Sequence, residues 1–157
     1  MAQVQAETVV AVPPDVAFAV SQTTGGTRYR WDPFVREQHF LDGATLPAKG
    51  VRTATVSRHR LRMVSRYVSW APGSHVGMTM TEGPWFFEVF AGSWRFTPTG
   101  DGGTRAVWRY VFRCRPRWAA GPMEAVGQLV LGRDVRRRIA GFARGCADPV
   151  VLAAVRG

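Results

Sequence analysis

Two ionisable side chains stand in strand phase with aromatic rings. In the run from Leu61 to Trp70, Arg66 alternates in step with Val64, Val68 and Trp70, and in the run from Phe86 to Phe96, Glu88 shares a side with Phe90, Trp94 and Phe96. Successive strand residues point to opposite faces, so both charges are expected to face the apolar side. A guanidinium held there stays charged and needs an acceptor, because an unpaired ion in an apolar pocket is costly. Glu88 could provide that acceptor for Arg66, and so could the carbonyl oxygens of a ligand. On the next stretch Ala106, Trp108, Tyr110, Phe112 and Cys114 alternate with Arg105, Val107, Arg109, Val111 and Arg113. One face there is aromatic and carries a phenol; the other is mostly arginine and belongs in water.

Other chemistries have no foothold. There is no glycine loop with a lysine to cradle phosphate, no nucleophile elbow and no pair of histidines at metal spacing. His39, His59 and His75 are scattered and read as surface or satisfied histidines, and no metal or cofactor is expected. Cys114 and Cys146 are too few and too far apart for a disulfide framework or a zinc site, and Cys114 falls on the apolar face as a small hydrophobe.

The elements that must position these residues follow from periodicity and turn chemistry. Ser93 to Phe112 reads as a long antiparallel hairpin around the turn cluster Pro98-Thr99-Gly100-Asp101-Gly102-Gly103, with its glycines at the turn. Before it come a strand over Val4 to Val12, ended by Pro13 and Pro14, and two short helices, over Val16 to Val20 and near Trp31. Strands follow over Val35–Leu41, Val51–Arg58, Leu61–Trp70 and Val76–Thr81, and the tally is seven. Beyond Pro116 and Pro122 the period changes to that of a helix. Gln128, Leu131, Val135, Ile139, Phe142 and Ala143 fall on one face, with Arg133, Arg137 and Arg144 on the other. This predicts one long helix, bent or loosened at Gly127 and Gly132. The apolar tail after Pro149 needs a cover, from a partner or from a groove.

At 157 residues, the chain is expected to be one domain over 1–157, able to bury a core without disulfides. No apolar run approaches a membrane span, and the start lacks the basic and apolar blocks of a secretory signal, so a cytoplasmic location is expected. Its formal net charge is +10, almost all of it arginine, with Lys49 the single lysine. Such a surplus favours acidic partners, but the aromatics face the core, which argues against nucleic acid.

The order of elements, together with Pro13–Val20, the segment from Trp31-Asp32-Pro33 to Leu41-Asp42-Gly43, and the hairpin residues Trp94, Phe96, Pro98, Gly102, Gly103, Thr104 and Trp108, resembles the START/SRPBCC superfamily, with its polyketide cyclase/dehydrase-like proteins. The resemblance covers almost the whole chain. It implies an α+β helix-grip fold: a seven-stranded curved antiparallel sheet wrapped around a long C-terminal helix, with two short helices after strand 1. It also implies an internal cavity for a hydrophobic or aromatic small molecule and, without a cofactor, cyclisation or dehydration of it. In that setting Arg66, Trp108 and Tyr110 would hold a poly-β-ketone and stabilise the enolate of a ring closure, with Glu88 as proton shuttle. The wall of such a cavity would draw on Trp31, Met80, Phe90, Trp94, Trp108, Phe112 and Phe142. An acidic acyl carrier protein is a candidate partner for Arg133, Arg137 and Arg144, and the chain would act as a monomer or homodimer. A carrier that binds a lipid or natural product without chemistry is the alternative.

Overall fold

The computed structural model describes residues 1–156. Seven strands form one antiparallel sheet: β1 (Ala2–Val10), β2 (Val35–Phe40), β3 (Arg52–Ser57), β4 (Arg62–Ala71), β5 (His75–Glu82), β6 (Phe87–Pro98) and β7 (Thr104–Cys114). Their spatial order is β1-β7-β6-β5-β4-β3-β2. From β2 to β7 each strand therefore lies beside its predecessor, joined by hairpins, and β1 closes the far edge against β7 with Ala6 opposite Trp108. Between β1 and β2 run α1 (Pro14–Ser21) and α2 (Gly25–Trp31), and after β7 come α3 (Ala120–Gly145) and α4 (Pro149–Arg156). The seven strands, two inserted helices and long helix expected of a helix-grip fold are all present.

Local chemistry accounts for the boundaries. Pro14 opens α1, where its missing N–H costs nothing, and Asp15 follows in the first turn near the positive end of the helix. Helix α2 stops before Pro33, which disfavours helical backbone at Asp32. The β7 strand alternates strictly between buried and exposed or half-buried residues, and its inward set is the aromatic face read from sequence.

Helix α3 runs without interruption through Gly127 and Gly132, against the expectation of a bend. It packs on β1 and β7 through Val135, Ile139 and Phe142. Phe142 is fully buried, with its ring 4.7 Å from Trp94 and 5.8 Å from Trp31. Two glycines let the helix approach this closely: a Cβ on Gly127 would lie 2.7 Å from the Phe112 ring, and one on Gly141 would lie 2.1 Å from the Trp31 carbonyl oxygen. The apolar tail finds its cover within the chain. It forms α4, which packs on α1 and α2 and buries Val151 completely.

Candidate functional site

Between α3 and the sheet lies a cavity of about 590 Å³, within the usual range for small-molecule sites. Its wall includes Met63, Tyr67, Met78, Met80, Phe90 and Trp94 from the sheet and Met123, Val126, Val130 and Leu131 from α3. Apolar and aromatic side chains dominate it, and four of the five methionines lie there. The sheet curls around the helix because a flat one would leave this apolar face open to water.

Of the residues expected from sequence, Met80, Phe90, Trp94, Trp108 and Tyr110 line the cavity. Trp94 and Trp108 stack with ring centres 4.1 Å apart. Trp31, Phe112 and Phe142 are buried but stand behind this wall as core.

Arg66 and Glu88 do not join them. Arg66 is exposed, between Ser65 and Tyr67, both of which line the cavity. The β4–β5 register shifts between Tyr67 and Ser69. That irregularity returns Trp70 to the inner side, where its ring lies 5.4 Å from Tyr67 and 5.1 Å from Phe18. Counting back from Trp70 by twos therefore assigns Arg66 to the wrong face. The same happens at Glu88. The β6–β7 register shifts between Phe87 and Val89, so Phe87 and Phe90 both face the cavity while Glu88 is exposed, with its carboxylate 3.8 Å from Arg113.

The charge inside the cavity comes from the helices. Asp32, at the C-terminal end of α2, is fully buried and accepts from Arg28 Nε at 2.9 Å. It also accepts from Arg138 Nε at 3.1 Å and Nη2 at 2.8 Å. The Arg138 contact is the two-pronged guanidinium–carboxylate pairing that fixes both groups in angle as well as distance. The Phe34 N–H closes the remaining side of Asp32 at 3.1 Å. Arg138, one fork of which is on Asp32, donates from Nη1 to the Tyr110 hydroxyl oxygen. Its guanidinium also lies over the Trp108 ring at 4.1 Å and the Phe34 ring at 4.5 Å. Arg28 lies over Trp31 at 4.4 Å and donates from Nη1 to the Ser21 carbonyl.

Two buried cations thus share one buried anion, and both arginines line the cavity. Burial works against the charge of all three, and the pairing decides the outcome. Asp32, which burial pushes up, is carried below the ordinary carboxylate range by Arg138 and Arg28. Arg138, disfavoured by burial, is held above its ordinary value by Asp32 and Tyr110. Arg28 is lowered by burial and by the Arg138 charge, although Asp32 opposes this. Arginine does not deprotonate in proteins, so the cluster keeps one net positive charge. Tyr110 is raised by burial, and Tyr67 is pushed up to about 12 by the same cause, so both are neutral phenols at physiological pH. Because Tyr110 accepts from Arg138, its own proton is free to be donated toward the cavity. Tyr67 donates to Gln22 Oε1 at 3.1 Å.

A second polar spot sits further along α3. Asp134, one helical turn before Arg138, is buried and lines the cavity, with His59 Nε2 3.9 Å from its carboxylate. His59, read from sequence as a surface or satisfied histidine, is exposed and also borders the cavity. Among the described residues no group of three His, Cys, Asp or Glu side chains is arranged to hold a metal ion, and no helix is long and apolar enough to cross a membrane.

Residues 1–147 match the family described as polyketide cyclase / dehydrase and lipid transport. The chain belongs to this family. No curated protein matches the sequence. Solved structures similar to this family member include a protein of Thermus thermophilus, at 20% identity and a TM-score of 0.73 over 97% of this chain and 98% of the other. A START superfamily protein from Mycobacterium smegmatis is similar at 11% identity and a TM-score of 0.72, over 91% and 95% of the two chains. The Zhui aromatase/cyclase from Streptomyces sp. R1128 is similar at 18% identity and a TM-score of 0.65, over 98% and 93%. At these identities the likeness is one of fold.

Sequence reasoning missed Arg28, Asp32, Arg138 and Asp134. A signal for two of them was there: Arg28 and Asp32 stand at the i,i+4 spacing of a helical ion pair directly before Pro33. Arg138 lies between Val135 and Phe142 on the buried face of α3, but the run Arg136-Arg137-Arg138 reads as one solvated stretch.

Proposed function

We propose that this protein binds a hydrophobic, aromatic or poly-ketonic small molecule by an oxygen carrying or developing negative charge, and catalyses its cyclisation or dehydration. The observation that supports this is the buried cluster of two arginines and one aspartate, which puts a net positive charge at a mostly apolar cavity whose other ionisable groups include Asp134 and His59. An unmatched buried cation is unfavourable in the empty protein, and an anionic oxygen in the ligand relieves it. The expected roles of Arg66 and Glu88 pass to residues that face the cavity.

In this reading Arg138, Arg28 and the Tyr110 hydroxyl receive a ligand carbonyl oxygen. Asp134 accepts a proton from the adjacent carbon, and the electrons of that C–H bond move onto the oxygen as an enolate, which the cations stabilise. The enolate carbon then attacks a second carbonyl of the same molecule, whose oxygen takes up the proton. Loss of water from the resulting β-hydroxyketone gives an enone, and enolisation of the remaining ring ketones aromatises the ring. Trp94 and Trp108 give the flat product a stacking surface.

The binding half is tested with a hydroxynaphthalene whose ionised form absorbs at longer wavelength. Its apparent pKa should fall on binding, and Arg138→Met should remove that fall. An unchanged or raised pKa on the wild-type protein refutes the anionic site. The catalytic half is tested by turnover of a poly-β-ketone analogue by wild type, Tyr110→Phe and Asp134→Asn. The breadth of the apolar wall favours a second reading, a carrier without chemistry. A shifted naphthol pKa with no turnover of any analogue selects it.

A further inference from the structure

The mouth of the cavity has a surface that the cavity chemistry does not use. The β3–β4 turn, the β5–β6 turn and the segment from Arg115 to Val130 all contribute to the cavity, through Leu61, Pro84, Phe86, Pro122, Val126 and Val130. These same segments carry half of the large apolar side chains left in water among the described residues. Trp118 is 87% exposed, Leu129 71% and Trp85 68%, with Leu61, Val126 and Val130 also exposed. Single exposed apolar residues need no explanation, but a patch gathered around one opening does.

The charge around this patch is one-sided. Arg58, Arg60, Arg62, Arg115 and Arg117 are all exposed on the same segments, and the acids there are Glu82 and Glu124. Glu82 lies 3.7 Å from Arg62, and the half-buried Glu124 accepts from the Cys114 N–H. Arg60, at the tip of the β3–β4 turn, has a φ of 64°, a left-handed conformation uncommon for a side chain of its size. The two most exposed aromatics are both tryptophan, whose ring is favoured where apolar and aqueous media meet.

We propose that this rim docks on an anionic lipid bilayer. The indoles of Trp85 and Trp118 and the aliphatic side chains of Leu61, Val126 and Leu129 enter the headgroup boundary, and the arginines engage lipid phosphates. The cavity then opens toward the membrane, so an apolar ligand passes between bilayer and protein without crossing water. This goes beyond the reading of the cavity itself and holds whatever the ligand is.

The test uses the full chain and vesicles without added ligand. Trp31, Trp94 and Trp108 are buried and Trp70 is half-buried, so a change in tryptophan emission on mixing reports Trp85 and Trp118. Vesicles of phosphatidylcholine with phosphatidylglycerol should shift emission to the blue and carry the protein into the pellet at low salt, with release at high salt. Pure phosphatidylcholine should do so more weakly. Arg60→Glu with Arg117→Glu should weaken binding to the anionic vesicles on the order of tenfold or more. Arg95→Glu with Arg109→Glu, the same charge change on the outer sheet face, should stay within about twofold of wild type if only charges at the rim touch phosphates. Trp118→Ser should weaken binding and cut the blue shift, and melting curves confirm that each variant is folded. No blue shift and no co-sedimentation overturn the proposal. So does equal loss in the two double reversals, which would mark attraction by net charge alone, or an acidic carrier protein binding the rim while vesicles do not.

Discussion

Replacing Asp32 with Asn tests the buried cluster most directly. Asp32 takes three N–H donors from two arginines, and with it gone two cations remain buried side by side. Breaking a buried pair by removing one partner costs about 3–5 kcal/mol, since the stranded charge is not resolvated. In a protein of this size that corresponds to roughly 6–20 °C in Tm. The comparison is Arg138→Met, which leaves Arg28 and Asp32 as a neutral pair and replaces the guanidinium by an apolar chain. Its cost should be smaller, about 1–3 kcal/mol, mainly from the hydrogen bonds lost at Asp32 and Tyr110. Thermal unfolding followed by circular dichroism should therefore rank wild type above Arg138→Met and Arg138→Met above Asp32→Asn. Ligand binding should rank differently, with Arg138→Met the weaker binder of an anionic probe. The pH dependence has a definite sign. The Asp32 carboxyl is held below its unfolded value, so folding releases protons in that window and the stabilisation is present above the unfolded pKa of about 3.9. It is lost as pH falls through the lower, folded value, and Asp32→Asn should lack that part of the acid transition. An Asp32→Asn protein that melts within a degree or two of wild type refutes the cluster as drawn.

Other outcomes are equally specific. Gly141→Ala sets a methyl against the Trp31 carbonyl and should cost about 1–3 kcal/mol by forcing α3 away from α2; a melting curve like wild type's would mean the helices are not held this close. Val151→Asp buries a charge between α4 and the body, so a protease should clip the C-terminus of this variant faster than that of wild type, and equal rates would deny α4 its packing. Arg66→Ala and Glu88→Gln should leave probe binding within about twofold, as exposed groups contribute little, and a larger loss would return them to the site. Reversing Arg133 and Arg137, both exposed on α3, should slow turnover of a substrate tethered to an acidic acyl carrier protein and spare a free analogue. Equal effects on both would remove the carrier protein as a partner.

The fold was largely legible because strand alternation and turn residues carry it. The β7 face from Ala106 to Cys114 and the buried stripe of α3 are patterns of local sequence. What was not legible was phase across a bulge. Nothing in the residues around Ser69 or Val89 announces the extra residue there, yet it decides which side Arg66 and Glu88 face. The cluster was hidden for another reason: Arg28, Asp32 and Arg138 come from helices more than a hundred residues apart, and only tertiary packing brings them together. Helical phase placed Arg138 beside Val135 and Phe142, but composition made it resemble its neighbours Arg136 and Arg137.

The cluster also divides the cavity between two kinds of element. Its charges sit on α2 and α3, locked to each other through Asp32, while the sheet wall opposite is furnished with Met63, Met78, Met80 and Phe90. Methionine is flexible and tolerates exchange with residues of similar volume. Anchoring and shape are therefore separable traits in this protein. Substitutions on β4, β5 and β6 can widen or narrow the range of molecules accepted while the anchor point stays fixed, so a library confined to those strands is the place to look for altered selectivity.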